Sequence, residues 1–458
     1  MKVVLTFLPQ IVAENKFELW TSPPLALYVL AACLEKDGHL IRVIDPCEYF
    51  QFNEKSGLIE NSYEFLKKEI VDYDMVCFSS NTFNWGFTRV VVNKLSEDYP
   101  DKHYVCGGLH PSLFDKHALE VSKMNFVLRG EGERSIRQLA SALEGKCAFE
   151  DIKGLTYYKD GVICRNEDVT PLTVAELEAS PIPDFKYLTD DNPYYAIPVE
   201  SSRGCAFSCA FCSIPNRHNW RGISPDKIIE RIEVATSSNK IQSREKEHIQ
   251  ILFSDDCLTI NTERAKELMQ KLYEKYEYNF SYFFEVRISN IISDNLMESI
   301  PAGIVHSMQI GVEAGYDEGL KLVKKVLTIE QLYQGLDIIY ANGFTEKCFL
   351  SFIIGFPWET EENVNQTLDT VERILRTYNI FISLNWLVFL PSDLWKEREK
   401  YRIDVDESMY DAPIWMMDKD IFYKTRPRLS HDAVVRIENR IHDLQAHFRK
   451  LKFAFWEE

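Results

Sequence analysis

YAIPVESSRGCAFSCAFC, residues 195 to 212, is the stretch from which both fold and chemistry are read. A strand-like run, YAIPVES, passes directly into a loop that carries Cys205, Cys209 and Cys212. Thiolates are soft donors suited to iron–sulfur clusters or zinc, and gaps of three and two residues let one loop wrap a compact metal centre. Three ligands on a four-iron cube leave one iron open. The other reading is a zinc knuckle completed by His218 or another cysteine.

Downstream, five further apolar runs follow: IQILFSD, YFFEVRI, HSMQIGV, CFLSFIIG and ISLNWLVF. Each is separated by a helical pattern long enough for a right-handed crossover, so residues 195–394 read as a partial (β/α)6 barrel of the TIM type. The cysteine loop then lies at the carboxyl end of the first barrel strand, where barrel active sites are built. The polar run SSNKIQSREKE, 237–247, reads as a solvated insertion.

Upstream, residues 1–145 alternate apolar runs with helical patterns (VVLTFL, Pro23 to Lys36, HLIRVID, MVCFSS, Thr88 to Glu97, HYVCGG), which predicts an α/β, doubly wound, Rossmann-like domain. MVCFSS and HYVCGG lack period-two alternation, as expected of strands buried on both faces. Ligands of such sheets sit beyond the carboxyl ends of the strands, near Ser79-Ser80-Asn81-Thr82 and Gly107-Gly108. Residues 146–194 read as a hairpin, turning at Asp160-Gly161, and a Pro-punctuated linker. Residues 395–458 read as a mainly helical cap. In it Val434, Ile437, Ile441, Leu444, Phe448 and Leu451 form one apolar stripe with Ser430 as N-cap, and Trp415, Met416, Met417 and Phe422 read as core or as a cap over substrate.

The composition of the 458 residues, 45% hydrophobic and 27% charged, is that of a folded chain. Fifty-two basic against seventy acidic residues give a net charge of −18, which disfavours a nucleic-acid partner. No apolar run reaches the roughly 18 residues of a membrane span, and the start at Met1 lacks signal-peptide features. Eleven cysteines, irregularly spaced, point to a reducing compartment, with the cytoplasm as default. The eight outside the loop read as small buried hydrophobes.

The CxxxCxxC signature, with Phe211 just before its last cysteine, resembles the radical S-adenosylmethionine superfamily. That resemblance implies a [4Fe–4S] cluster on Cys205, Cys209 and Cys212, which are both metal ligands and catalytic, with S-adenosylmethionine chelating the open iron. It implies that Asp255 and Asp256 receive the methionyl amino group and that Glu285 and Arg287, on one face of a strand, contact ribose and carboxylate. Gly311-Val312-Glu313 resembles the family's G-V-E segment. Ile353-Ile354-Gly355 resembles the stretch that packs on adenine, although Ser351 stands where Gly is common.

The N-terminal pattern is similar to the cobalamin-binding domain of one class of that superfamily. The resemblance assigns Ser79, Ser80, Asn81, Thr82, Gly107 and Gly108, with Gly130, Glu131, Gly132 and Glu133, to cobalamin, with the two adjacent glycines admitting the corrin tail. Where many cobalamin domains carry D-x-H-x-x-G, this chain has Asp45-Pro46-Cys47-Glu48-Tyr49-Phe50; His110 and His117 receive no role.

The resemblance implies a cobalamin-dependent C-methyltransferase that attacks an unactivated carbon of a small molecule or peptide through a 5′-deoxyadenosyl radical, served by a flavodoxin or ferredoxin. The alternatives are radical rearrangement, cyclisation or sulfur insertion, with or without cobalamin, and, from another class, a non-catalytic corrinoid-binding or electron-transfer protein. A tRNA methylthiotransferase is weaker still, because the chain has no basic C-terminal module.

Overall fold

The structure, a computed structural model, describes residues 1–18, 20–241 and 249–453. Residues 242–247 of the polar stretch read as an insertion lie outside the described residues. Among the described residues no helix is long and apolar enough to cross a membrane.

The first sheet is built from β1 (Lys2–Thr6), β2 (Leu40–Ile44), β3 (Met75–Ser79), β4 (His103–Gly107), β5 (Phe126–Leu128), β6 (Leu155–Lys159) and β7 (Val162–Arg165), in the order β2-β1-β3-β4-β5-β6-β7. The first five are parallel, and Val4 registers with both Arg42 and Val76. Met75, Val76, Cys77 and Phe78 are all buried, as the unbroken apolar run of β3 requires when helices cover both faces. Helices Leu25–Lys36, Leu58–Glu69, Trp85–Asp98 and Asp115–Val121 lie on the crossovers, and helix Gly132–Leu143 follows β5.

The hairpin expected as a connector instead extends this sheet: β6 and β7 add antiparallel beyond β5. An open parallel edge at β5 would leave its N–H and C=O groups unpaired, and Leu155 and Tyr157 gain burial by covering it. Asp160 and Gly161 both take positive φ, 51° and 80°, at the turn.

All six strands expected from residue 195 onward form: β8 (Ala196–Val199), β9 (Ile249–Phe253), β10 (Phe280–Val286), β11 (Val305–Glu313), β12 (Cys348–Ile354) and β13 (Phe381–Trp386). From β9 to β13 each pairs in parallel with the next, and β14 (Leu451–Lys452) then pairs with β13. The C-terminal segment is therefore not wholly helical. Its long helix, His431–His447, is capped by the Ser430 hydroxyl, which accepts from Ala433 N at 3.2 Å, and ends before Phe448, so Leu451 serves the sheet.

By packing, the described chain forms two compact units. One comprises, among the described residues, 1–18, 20–199, 230–241 and Asp406–Met416; the other comprises 200–229, 249–405 and 417–453. Asp406–Met416, expected in a cap, belongs to the first unit because Trp415 and Tyr410 find their apolar surroundings there: Trp415 Nε1 donates to the Thr82 carbonyl at 3.0 Å. Phe422 is core of the second unit, edge-on to Trp386 at 5.3 Å.

Candidate functional site

The cysteine loop is closed at its root by a short antiparallel pair, Ser202–Arg203 with Arg221–Gly222. Gly204 has φ +84°, and a Cβ there would lie 2.4 Å from the Asn219 carbonyl, so the turn into Cys205 admits glycine alone. The Cys205 carbonyl accepts from His218 N at 2.6 Å, and the Cys209 carbonyl from Cys212 N at 3.1 Å. Between them Ala210 is held on both sides, donating to Val323 O at 2.9 Å and accepting from Leu394 N at 3.1 Å. The loop is thus fixed by backbone bonds, and its three thiols stay partly exposed and unbridged.

Burial raises the Cys205 thiol and pushes Cys212 up to about 11; Asp256 and the neighbouring sulfurs add to both shifts. A bound cation is what such thiols need in order to become thiolates. Among the described residues no three His, Cys, Asp or Glu side chains converge where they could share one metal ion. A four-iron cube takes three thiolates at separate corners and leaves the fourth free. Three partly exposed thiols on a rigid loop fit that group.

The two strand-end acids are put to different uses. Asp255 is fully buried and accepts from Ser201 N at 2.7 Å, the Ser201 hydroxyl at 2.5 Å and the Ser202 hydroxyl at 2.6 Å. Arg264 completes this node by donating to Ser201 O and, at 2.7 Å, to Ile223 O. Asp255 therefore ties the end of β9 to the root of the cysteine loop and has its hydrogen-bonding capacity taken up within the protein. Asp256 is half-buried, and burial with Asp255 and Glu200 nearby pushes its carboxyl up to about 6.

Glu285 and Arg287 extend from β10. Burial pushes Glu285 up to about 8, moderated by Lys325 and reinforced by Asp256 and Glu313, so these four side chains share one electrostatic environment. The Arg287 guanidinium lies 3.4 Å from the centre of the Phe207 ring on the cysteine loop, and its buried Nε has no hydrogen-bond partner. Glu313 sits at φ +80° at the end of β11, where a bulge breaks the register, and pairs with Lys325 at 3.1 Å. A Cβ on Gly311 would lie 2.2 Å from the Glu313 carboxylate, so that glycine makes room for the pair.

Gly355, at φ +80°, donates to the buried Glu359 at 2.7 Å, as Phe356 N does at 3.0 Å. Burial pushes Glu359 up to about 7. The Phe356 ring lies 6.1 Å from that of Phe211 and stacks on Trp358 at 4.9 Å.

In the first unit the loops after β3 and β4 are stitched together: Ser80 N donates to Gly107 O at 2.8 Å and His110 N to Ser80 O at 3.3 Å. What requires glycine at 108 is this contact, since a Cβ there, at φ +100°, would lie 2.5 Å from Ser80 O. Ser79 ends β3; Asn81 accepts from Phe83 N at 2.9 Å; Thr82 is buried, with its hydroxyl 3.4 Å from His110 Nδ1. Gly130 N donates to Ser112 Oγ at 2.9 Å, Glu131 accepts from Leu172 N at 2.6 Å, and Gly132 opens a helix in which Glu133 is buried.

At the missing D-x-H position, Asp45 is buried and accepts from Tyr28 and Tyr194 hydroxyls, each at 2.5 Å, while capping the turn Pro46–Phe52. Cys47 therefore stands in a structural turn. His110 is fully buried against Trp85 at 4.9 Å, and burial lowers it to about 3, which keeps the ring neutral; His117 pairs with Asp411 at 3.2 Å.

Sequence reasoning missed Lys325, Asp411 and the Arg217–Asp393 pair. Lys325 lies twelve residues beyond Glu313, and the other two partners are 294 and 176 residues apart, so no local pattern announces them.

Comparison with known proteins follows the same division. The family described as Radical SAM superfamily matches residues 199–371, and the B12 binding domain matches residues 20–140. An uncharacterized methyltransferase of Pyrococcus horikoshii is 27% identical over 82% of this chain and 78% of its own length. The anaerobic magnesium-protoporphyrin IX monomethyl ester cyclase of Rubrivivax gelatinosus is 26% identical over 70% of this chain and 58% of its own. Among solved structures, the radical S-adenosylmethionine methyltransferase TsrM of Kitasatospora setae, with cobalamin and a [4Fe–4S] cluster bound, superposes over 100% of this chain and 91% of its own, with TM-score 0.72 and 14% identity. At that identity the likeness concerns the fold.

Proposed function

We propose that this chain, matched by the Radical SAM superfamily over residues 199–371 and by the B12 binding domain over residues 20–140, is a cobalamin-dependent methyltransferase acting on an unactivated carbon of a small molecule. The observation that carries this reading is the rigid three-cysteine loop beside a half-buried carboxylate, Asp256, held by the Gly204 backbone, and one guanidinium with an orphaned nitrogen, Arg287.

Cys205, Cys209 and Cys212 hold three corners of the cluster. Asp256 would accept from the amino group of S-adenosylmethionine, Arg287 Nε would donate to its carboxylate, and Glu285, raised by burial, would bond the ribose. The peptide at Gly355-Phe356, held by Glu359, backs the adenine. Residues 1–145 hold cobalamin through the Ser79–Thr82 and Gly107-Gly108 loops, with Gly130–Glu133 shaping the next turn. When bound, these groups supply a 5′-deoxyadenosyl radical and a transferable methyl group; the protein binds, orients and excludes water.

The test is product analysis on protein reconstituted with iron, sulfide and hydroxocobalamin. Methyl transfer predicts a substrate mass gain of about 14 per methyl, with both S-adenosylhomocysteine and 5′-deoxyadenosine released. 5′-Deoxyadenosine without S-adenosylhomocysteine would move the reading to rearrangement or cyclisation.

A further inference from the structure

Asp406–Met416 follows the whole barrel sequence and yet packs in the first unit. Met416 Sδ accepts from Gln10 Nε2, beyond β1, at 3.9 Å; Trp415 Nε1 donates to the carbonyl of Thr82, beyond β3, at 3.0 Å; and the Tyr410 ring meets that of His110, beyond β4, edge-on at 5.5 Å. β1, β3 and β4 are neighbours in the sheet, so the segment crosses three consecutive strand ends on the side where ligands of such sheets bind.

Its middle is fixed by polar contacts. Asp411 accepts from Trp85 Nε1 at 2.9 Å and pairs with His117 at 3.2 Å, and its backbone carbonyl accepts from Arg89 at 3.1 Å. Gly86 admits this approach, since a Cβ there would lie 2.4 Å from the Ala412 carbonyl. Apolar packing alone would not aim the Trp415 indole N–H at Thr82. Thr82 lies between the end of β3 at Ser79 and the helix that opens at Trp85, outside both ladders, so this bond sets the orientation of its peptide.

We propose that Asp406–Met416 is a strap that positions the Ser79–Thr82 loop for the corrinoid: Trp415 holds the Thr82 peptide, and Asp411, clamped by Trp85 and His117, holds the strap. A loop fixed before binding has less freedom to lose, so the strap strengthens corrinoid binding without touching the ligand. This inference rests on the cobalamin reading above. The Asp411 carboxylate raises His117 above its ordinary 6.5, against burial and with help from Glu407 and Glu120. The charged pair is therefore complete below about 6.5 and is lost as pH rises through the raised value. Arg89 and His110, the latter kept neutral by burial, complete the groups around the pair.

The experiment uses the full chain with hydroxocobalamin and two variants: Trp415→Phe, which keeps a ring and removes the donor to Thr82, and His117→Gln. Tyr63→Phe, which loses a hydroxyl bond to Asp98 in the same unit, is the control. Hydrogen exchange at residues 79–84 is followed by mass spectrometry without ligand, and corrinoid affinity by absorbance titration from pH 6 to 9. Trp415→Phe is expected to speed exchange in that stretch and to weaken corrinoid binding roughly fivefold, with Tyr63→Phe unchanged in both. The parent's affinity is expected to fall across that pH range more steeply than that of His117→Gln; parallel profiles would remove the Asp411–His117 clamp. Unchanged exchange in Trp415→Phe would overturn the strap, and faster exchange with unchanged affinity would overturn its part in corrinoid binding. Tighter binding would overturn it in favour of a plug that the corrinoid displaces. Parent protein that binds no corrinoid at any pH would sink the cobalamin reading itself, while the exchange result still decides the strap's hold on the loop.

Discussion

Asp255 accepts both the backbone N–H of Ser201, at 2.7 Å, and its hydroxyl, at 2.5 Å. This pair joins the end of the second barrel strand to the root of the cysteine loop. It separates two adjacent acids that look equivalent in sequence: Asp255 is buried in bonds to the root of the loop, and Asp256, half-buried beside the Gly204 backbone, is the one proposed for the ligand.

Asp255→Asn turns one acceptor into a donor facing Ser201 and Ser202, inside the core. A loss of about 1–3 kcal/mol in stability is expected, with reduced iron retention. Asp256→Asn is expected to keep its iron and stability but to bind S-adenosylmethionine more weakly. Calorimetry with iron determination separates the two; matched behaviour of both variants would refute the division.

Much of the site was legible because its parts are local. The three cysteines, Phe211 and the acids at strand ends each sit within a few residues of a recognisable apolar run, and period-two alternation puts Glu285 and Arg287 on one face. What stayed hidden depends on distant chain. Nothing near Leu155 says that it completes the first sheet against Leu128, and nothing near Trp415 says that its indole bonds Thr82, 333 residues away. The glycine at 108 was read as making room for a ligand; its tightest neighbour is Ser80.

Glu285 and Glu359 are pushed up to about 8 and about 7 by burial. Their folded values exceed the unfolded value near 4.5, so between those limits the native state binds more protons than the unfolded one. Stability therefore falls as pH rises from about 4.5 to 8, and the full penalty is present above 8. In the metal-free protein, Glu285→Gln is expected to flatten the decline in melting temperature between pH 6 and 9. A slope identical to that of the parent protein would contradict this environment for Glu285.

Gly108 and Gly145 both have positive φ, but a Cβ at 145 meets nothing within 4 Å. Gly145→Ala is expected to cost about 1 kcal/mol from backbone conformation alone. Gly108→Ala adds a collision with the Ser80 backbone and should cost clearly more, with loss of corrinoid binding. Melting curves and corrinoid titration check this; equal costs would contradict the stitched-loop description.

Lys325→Met leaves Glu313 buried without its cation. A loss of about 3–5 kcal/mol is expected, as for breaking other buried pairs, and Glu313→Gln in the same chain should recover part of it. A double-mutant cycle measures the coupling, and strict additivity would contradict a paired role.

The central claim is that one chain holds a three-cysteine cluster and a corrinoid. Its most direct test is the ultraviolet–visible spectrum, with iron, sulfide, cobalt and zinc determination, of protein reconstituted anaerobically with iron, sulfide and hydroxocobalamin, beside Cys209→Ala. The account predicts about four irons and one corrin per chain, with the iron lost and the corrin kept in Cys209→Ala. Zinc in place of iron, or iron that persists without Cys209, would contradict it.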